Sequence, residues 1–139
     1  VPVINAAGLA LVKQFEGCVL TAYQDDNGIW TIGYGSTTDV TPGMTITQAQ
    51  ADERLQADLT VAETSVADLV EIVLTPNEFS ALVSWEFNTG GLASTPGLAL
   101  INERQFEAAW DDHLCLWLEP DPVGLARRRA AEKALFFTP

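Results

Sequence analysis

A glutamate, an aspartate eight residues further on and a threonine five residues after that are the side chains best suited to chemistry in this chain: Glu16, Asp25 and Thr31. Two carboxyls held on different rigid elements are what glycoside hydrolysis uses. One gives a proton to the leaving oxygen, and the other serves a water or a developing positive charge. A hydroxyl beside the second carboxyl can share that water. The same residues also have a plainer reading, with Asp25 capping a turn and Thr31 favoured by strand backbone. Spacing alone leaves both readings open.

The elements that must position these groups are legible around them. Asn5 is a helix N-cap, and Leu9, Val12 and Phe15 follow at helical spacing, with Gly17 suited to the residue just past the helix end. Glu16 then sits in the last turn, facing the negative pole of the helix, a position that suits a proton donor. Residues 18–24 and 29–34 read as strands, joined by the turn chemistry of Asp26-Asn27-Gly28. Regular pairing places Asp25 and Thr31 on one face, opposite or diagonal to each other. Gly33 and Gly35 leave room for a ligand or backbone to approach, and residues 36–46 form a loop or a short third strand.

Thr47 and Gln50 form a capping box that opens a helix over about 47–70, with Leu55, Leu59, Ala62, Val66 and Leu69 on its apolar face. Its acids, Asp52, Glu53, Asp58, Glu63 and Asp68, read as solvated surface. Thr75-Pro76-Asn77-Glu78 caps the next helix, whose buried stripe is Phe79, Leu82, Val83 and Phe87; Asn88-Thr89-Gly90-Gly91 ends it. Glu86 lies on or beside that stripe and needs a partner or a cleft. Thr95-Pro96 opens a short helix to about Ile101. Phe106, Ala109, Trp110, His113, Leu114 and Trp117 define another, with His113 a packing residue on its apolar face. Pro120 and Pro122 mark a loop before a final helix from about Gly124 to Phe137. Many helices and one small hairpin make the fold α+β, mostly α.

With 139 residues, 47% of them hydrophobic, the chain supports one domain with a sizeable core. A net charge of −12 disfavours nucleic acid and anionic membranes as partners. No apolar run reaches the length of a membrane span, and no secretory signal pattern is present. Four of the seven basic residues, Arg127, Arg128, Arg129 and Lys133, cluster near the C-terminus, as a local positive patch or a solvated helix face. Cys18 and Cys115 read as a free, buried pair of thiols, with a long-range disulfide as the alternative. With the single His113 they make no convincing zinc site.

Taken together, these motifs resemble the phage-type lysozymes, or endolysins. The resemblance rests on Glu16, Asp25 and Thr31 at the family's spacing, on Lys13 to Cys18, Leu20 to Tyr23, Trp30 to Gly35, Gly43 to Thr47 and Phe87-Asn88 with Gly90, and on Gly124-Leu125 followed by Arg127 to Glu132. It covers essentially the whole chain. It implies a monomeric muramidase that hydrolyses the β-1,4 bond between N-acetylmuramic acid and N-acetylglucosamine in bacterial peptidoglycan, without a cofactor. Glu16 would be the general acid, with Asp25 and Thr31 placing the water. Tyr34, Gly35 and Asn88 would bind the glycan, and one of the three arginines would lie near the acid. The implied fold is a single lysozyme-like domain over 1–139, with an N-terminal lobe at about 14–46, a bridging helix at about 47–70 and a helical C-terminal lobe at about 71–139 on which the first helix packs. The implied location is the host bacterial cytoplasm, with release to the periplasm and cell wall at lysis. A weakly active or inactive homologue that only binds wall glycan is the alternative, and a chitinase-like specificity a narrower one. The chain departs from the family at Glu86, where an uncharged residue is usual and a rim acid is expected. It departs also at Ser36, a place often held by His, and at Pro96-Gly97.

Overall fold

The computed structural model describes residues 2–139. Among these residues, six α-helices and one two-stranded antiparallel sheet follow in the order α1 (Ala6–Glu16), β1 (Val19–Gln24), β2 (Trp30–Gly33), α2 (Gln48–Leu69), α3 (Pro76–Thr89), α4 (Gly97–Asn102), α5 (Phe106–Asp112) and α6 (Pro122–Phe136). The α+β, mostly α reading therefore holds. No helix is long and apolar enough to cross a membrane among the described residues.

The chain forms two compact units, residues 12–60 and residues 1–11 with 61–139. In the smaller unit, β1 and β2 pair with Tyr23 opposite Thr31 and Gln24 opposite Trp30, and the register slips between Val19 and Tyr23. The other edge of β1 is covered by residues 44–46: Ala22 N–H donates to Met44 C=O at 2.8 Å and Ile46 N–H to Leu20 C=O at 2.9 Å. The expected loop or third strand is thus a short strand-like pairing. Val12, Ile32, Ala51, Leu55 and Leu59 are buried here. The capping box at the start of α2 is present in both directions, Gln50 N–H to Thr47 Oγ1 at 3.1 Å and Thr47 N–H to Gln50 Oε1 at 2.9 Å.

The larger unit is helical. Thr75 and Glu78 cap α3 reciprocally, with Pro76 in the first turn and Gly90 left-handed at the end. Residues 79–86 of α3 are buried on every side, so its buried face is wider than the four-residue stripe that periodicity suggests; Phe87 is only half-buried. Trp85, Trp110, Leu92, Ile101, Leu114 and Phe136 fill the core. Beside the start of α3, Asn5 caps α1, its Oδ1 accepting from Gly8 N–H at 2.9 Å, and its own N–H donates to Ser80 Oγ at 2.9 Å.

Several expectations are corrected. The helix expected through Trp117 ends at Asp112, and His113 lies beyond it with φ −136°. Trp85 Nε1 takes the Leu114 carbonyl at 3.0 Å, and Pro120 offers no N–H to continue a helix. The last helix starts at Pro122 rather than Gly124, because Asp121 caps Gly124 N–H at 3.1 Å and proline suits a first helical position. Glu63 is not solvated: it is 5% exposed and accepts the Ile4 N–H at 2.7 Å. Cys18 and Cys115 are both free, but neither is buried: Cys115 is half-buried, and Cys18 is exposed, since it leads into a strand with little cover.

Candidate active site

Glu16 is the last residue of α1, and Gly17 leaves the helix with φ +68°. The carboxyl is half-buried. Beside it runs the tight Gly33-Tyr34-Gly35 turn, closed by Ile32 N–H to Ser36 C=O and Ser36 N–H to Ile32 C=O, both at 2.9 Å. Gly35 has φ +90°, and a Cβ there would lie 3.9 Å from Glu16 Oε1. Glycine is required by the left-handed turn, and a Cβ there would only make an ordinary contact with the acid.

Tyr34 is buried at 8% exposure, and its hydroxyl accepts from Gln48 Nε2 at 2.9 Å. The same Gln48 amide donates to Asp52 Oδ1 at 3.0 Å, and Lys13 Nζ lies 3.2 Å from that oxygen and 5.7 Å from the Tyr34 ring centre. The Gln48 amide and the Lys13 ammonium hold the Asp52 carboxyl below its usual range. The turn that carries Gly35 is thus tied to α2 and to the last stretch of α1.

Asp25 sits at the end of β1 and shapes the hairpin turn. Its Oδ1 accepts from Asn27 N–H and from Ile29 N–H, each at 2.9 Å, and its own N–H donates to Ile29 C=O at 2.9 Å. Thr31, 4% exposed, donates its hydroxyl to Ile29 C=O at 2.9 Å. The register makes Asp25 and Thr31 diagonal neighbours on one face, as the spacing implies. Both side chains take up the turn contacts of the plainer reading; Asp25 Oδ2 remains outside these bonds.

Asn88, in the last turn of α3, is exposed, and its Oδ1 accepts from Arg129 Nη2. The C-terminal basic cluster is neither a surface patch nor a solvated face as a whole. Arg128 and Arg129 are 3% and 1% exposed, around a Glu132 that is fully buried. Glu132 takes Arg128 Nε at 3.2 Å, the Ser84 hydroxyl at 2.6 Å and Arg129 Nη1. Burial pushes the Glu132 carboxyl up, against the pull of Arg129 and Arg128. The sequence carried an overlooked signal for this network. Arg128, Glu132 and Phe136 recur every fourth residue, and Arg129 lies three before Glu132, so the charges share a stripe with an aromatic core residue.

Glu86 is not the expected rim acid. It is 7% exposed, and its Oε1 accepts the Leu92 N–H at 3.1 Å, closing the turn that follows α3. Burial raises its carboxyl above the ordinary value, and the Leu92 bond only partly opposes this. Ser36 is buried and receives Arg54 Nη1 at 3.3 Å, while the same nitrogen donates to Thr38 C=O at 2.7 Å.

Residues 13–132 match the phage lysozyme family. The endolysin of Salmonella phage P22 is 38% identical over 97% of this chain and 98% of its own. Among solved structures, the muramidase domain of SpmX from Asticcacaulis excentricus has a TM-score of 0.87 at 36% identity, covering 100% of both chains. The endolysin from Escherichia coli O157:H7 phage FAHEc1 has a TM-score of 0.88 at 30% identity, covering 97% of this chain and 93% of that one. The chain belongs to the phage lysozyme family and is a peptidoglycan-hydrolysing glycoside hydrolase of the lysozyme type.

Proposed function

We propose that the chain is an endo-acting muramidase that cleaves the β-1,4 bond between N-acetylmuramic acid and N-acetylglucosamine. Glu16 acts as general acid, giving its proton to the departing glycosidic oxygen. The observation that carries this reading is the place of Glu16 at the end of α1 beside the Gly33-Tyr34-Gly35 turn, in the same compact unit as Asp25 and Thr31. An acid and a second carboxyl on different rigid elements are what the reaction needs.

Asp25 takes the second role. Its Oδ1 is fixed by two backbone N–H groups, so Oδ2 is aimed by the turn rather than by a flexible side chain. A carboxylate held in this way can accept a proton from water or stabilise positive charge on the sugar. Thr31 keeps its oxygen lone pairs while donating to Ile29 C=O, and those lone pairs serve the same water. Gly35 and Asn88 contact the glycan. Tyr34, with its ring buried, contributes by holding the turn that presents Gly35. The protein works as a monomer and as one lysozyme-like domain over residues 1–139. Synthesis in the host cytoplasm precedes release to the periplasm and wall.

The second reading, a homologue that binds glycan and hydrolyses it weakly or not at all, draws on the turn-capping bonds of Asp25 and Thr31. Glu16→Gln separates the two. It keeps shape and removes the proton donor, so an active muramidase loses lysis of purified peptidoglycan by at least a hundredfold, the usual weight of general acid catalysis being ~10²–10⁴. Equal lysis by both forms would overturn the proposal. The anomeric configuration of the released product then assigns inversion or retention, and chitin oligomers offered beside peptidoglycan test the bond specificity.

A further inference from the structure

Arg129 has each of its three side-chain nitrogens engaged on a different partner. Nε donates to the Trp117 carbonyl at 3.0 Å, Nη1 to Glu132 Oε1, and Nη2 to Asn88 Oδ1. The guanidinium is 1% exposed and Glu132 fully buried, whereas Asn88 is exposed. A guanidinium has no acceptor, so the Asn88 atom that faces it must be the carbonyl oxygen. The orientation of the amide is therefore set by chemistry: with Oδ1 held inward, the group turned to solvent is Nδ2, a pure donor.

We propose that Arg129 is a positioning residue for the glycan contact of Asn88, and that it makes this contact specific for an acceptor oxygen, a carbonyl or hydroxyl of the sugar. The proposal rests on the assignment of Asn88 as a glycan contact made above. An asparagine free to rotate presents either face and pays rotamer entropy on binding; one clamped at Oδ1 presents a single pattern. The clamp is itself held from three elements: the end of α3, the segment after α5, and α6. Its surroundings add rigidity. Trp117, whose carbonyl it takes, packs edge-on against Trp85 at 5.5 Å between ring centres. Gly91 accommodates the same Trp117 ring, since a Cβ there would lie 2.5 Å from it. The planar fork matters here, because a lysine ammonium is a point charge and cannot span three acceptors laid out in this way.

A structural role for Arg129 alone, pinning α6 to α3, would also weaken the protein when the residue is changed. A double-mutant cycle separates the two. Kinetics of wild type, Asn88→Ala, Asn88→Asp, Arg129→Lys and Arg129→Lys/Asn88→Ala are measured on soluble glycan oligomers from purified peptidoglycan, with thermal melts of each. Asn88→Ala raises KM about tenfold, the scale of one lost hydrogen bond of ~1.4 kcal/mol, with kcat within about twofold. Asn88→Asp keeps the Arg129 contact but turns an acceptor outward, and raises KM at least as much. Arg129→Lys raises KM severalfold in the wild-type background and has no further effect on KM in Asn88→Ala.

An unchanged KM in Asn88→Asp overturns the proposal, as does an equal Arg129→Lys effect in both backgrounds. If Arg129→Lys does not fold, the Asn88 pair still decides: a normal KM for Asp with a raised KM for Ala would show that no donor is read. Wild-type hydrolysis is the reference throughout. Loss of the proposal with retained wild-type cleavage leaves the muramidase reading standing, whereas absent wild-type cleavage removes that reading itself.

Discussion

Glu63 Oε2 accepts the backbone N–H of Ile4 at 2.7 Å, tying α2 to the residues that lead into α1. The carboxylate is 5% exposed, so the bond forms where water does not compete. A hydrogen bond to a charged group contributes ~1.5–3 kcal/mol. Glu63→Ala should lose about this amount in urea unfolding, since it also leaves the Ile4 N–H unpaired. Glu63→Gln keeps an acceptor oxygen and should lose less than about half as much. Equal stability of wild type and Glu63→Ala would mean that the bond is idle.

This residue also marks where sequence reasoning stopped. The period of Leu55, Leu59, Ala62 and Val66 located α2 and its apolar face, because that face packs along most of the helix. Glu63 directly follows Ala62, and only the return of the N-terminal residues covers it. No local pattern encodes a neighbour that arrives from the other end of the chain. The hairpin behaved differently. Asp25, the Asp26-Asn27-Gly28 turn and Thr31 act within a few residues of one another, so their register and shared face followed from spacing. Spacing could not decide what the side chains bond, and the turn took Asp25 Oδ1 and the Thr31 hydroxyl. Arg128, Arg129 and Glu132 were visible as charges but not as buried ones, because their cover comes from Ser84, Asn88 and Trp117, far away in sequence.

Glu86 makes stability depend on pH in a direction opposite to that of most carboxylates. Burial raises its carboxyl above the ordinary 4.5, so the folded protein binds the proton more tightly than the unfolded chain does. Its stabilising contribution is complete below about pH 4.5 and is lost as pH rises through the raised folded value. Glu86→Gln retains an oxygen for the Leu92 N–H and removes the ionisation. The variant should therefore melt at a higher temperature than wild type at pH 7, with the gap closing as pH falls towards 4 in calorimetry at each pH. A gap that widens on acidification would reverse the assigned sign.

Glu132 lies between two buried guanidiniums, and removing its charge leaves them without their shared carboxylate. Breaking a buried pair by deleting one partner costs ~3–5 kcal/mol, much of it from the charge left behind. Glu132→Gln should accordingly lower the melting midpoint by roughly 10 °C or more, at ~2–4 °C per kcal/mol for a chain approaching this size. Calorimetry measures it directly. Lys133→Ala, which removes an exposed ion pair with Asp111, should shift the midpoint by only a degree or two, because exposed pairs contribute ~0–1 kcal/mol. Comparable losses in the two variants would indicate that the Glu132 cluster is solvated in solution.

The burial of Arg128 and Arg129 sharpens the consequence of the −12 charge. Lys13 and Lys133 are paired with Asp52 and Asp111, and Arg54 is turned to Thr38 C=O. Arg104 and Arg127 are thus the exposed cations that carry no ion pair or side-chain hydrogen bond among the described residues. The surface offered to an anionic cell wall is strongly negative, and repulsion acts over about a Debye length, ~30 Å at 0.01 M salt but ~10 Å at 0.1 M. Salt should then speed the approach of enzyme to wall. Lysis of wall preparations should rise as sodium chloride goes from about 5 mM to about 100 mM, the range over which the screening length shrinks most. Cleavage of short soluble oligomers should depend on salt far less, because a single short chain carries little of the wall's field. A double substitution of exposed acids to neutral amides, Glu53→Gln with Asp68→Asn, should flatten the salt curve on walls without altering the rate on oligomers. A wall-lysis rate that falls monotonically with salt would instead require an attractive basic surface, which the buried arginines do not provide.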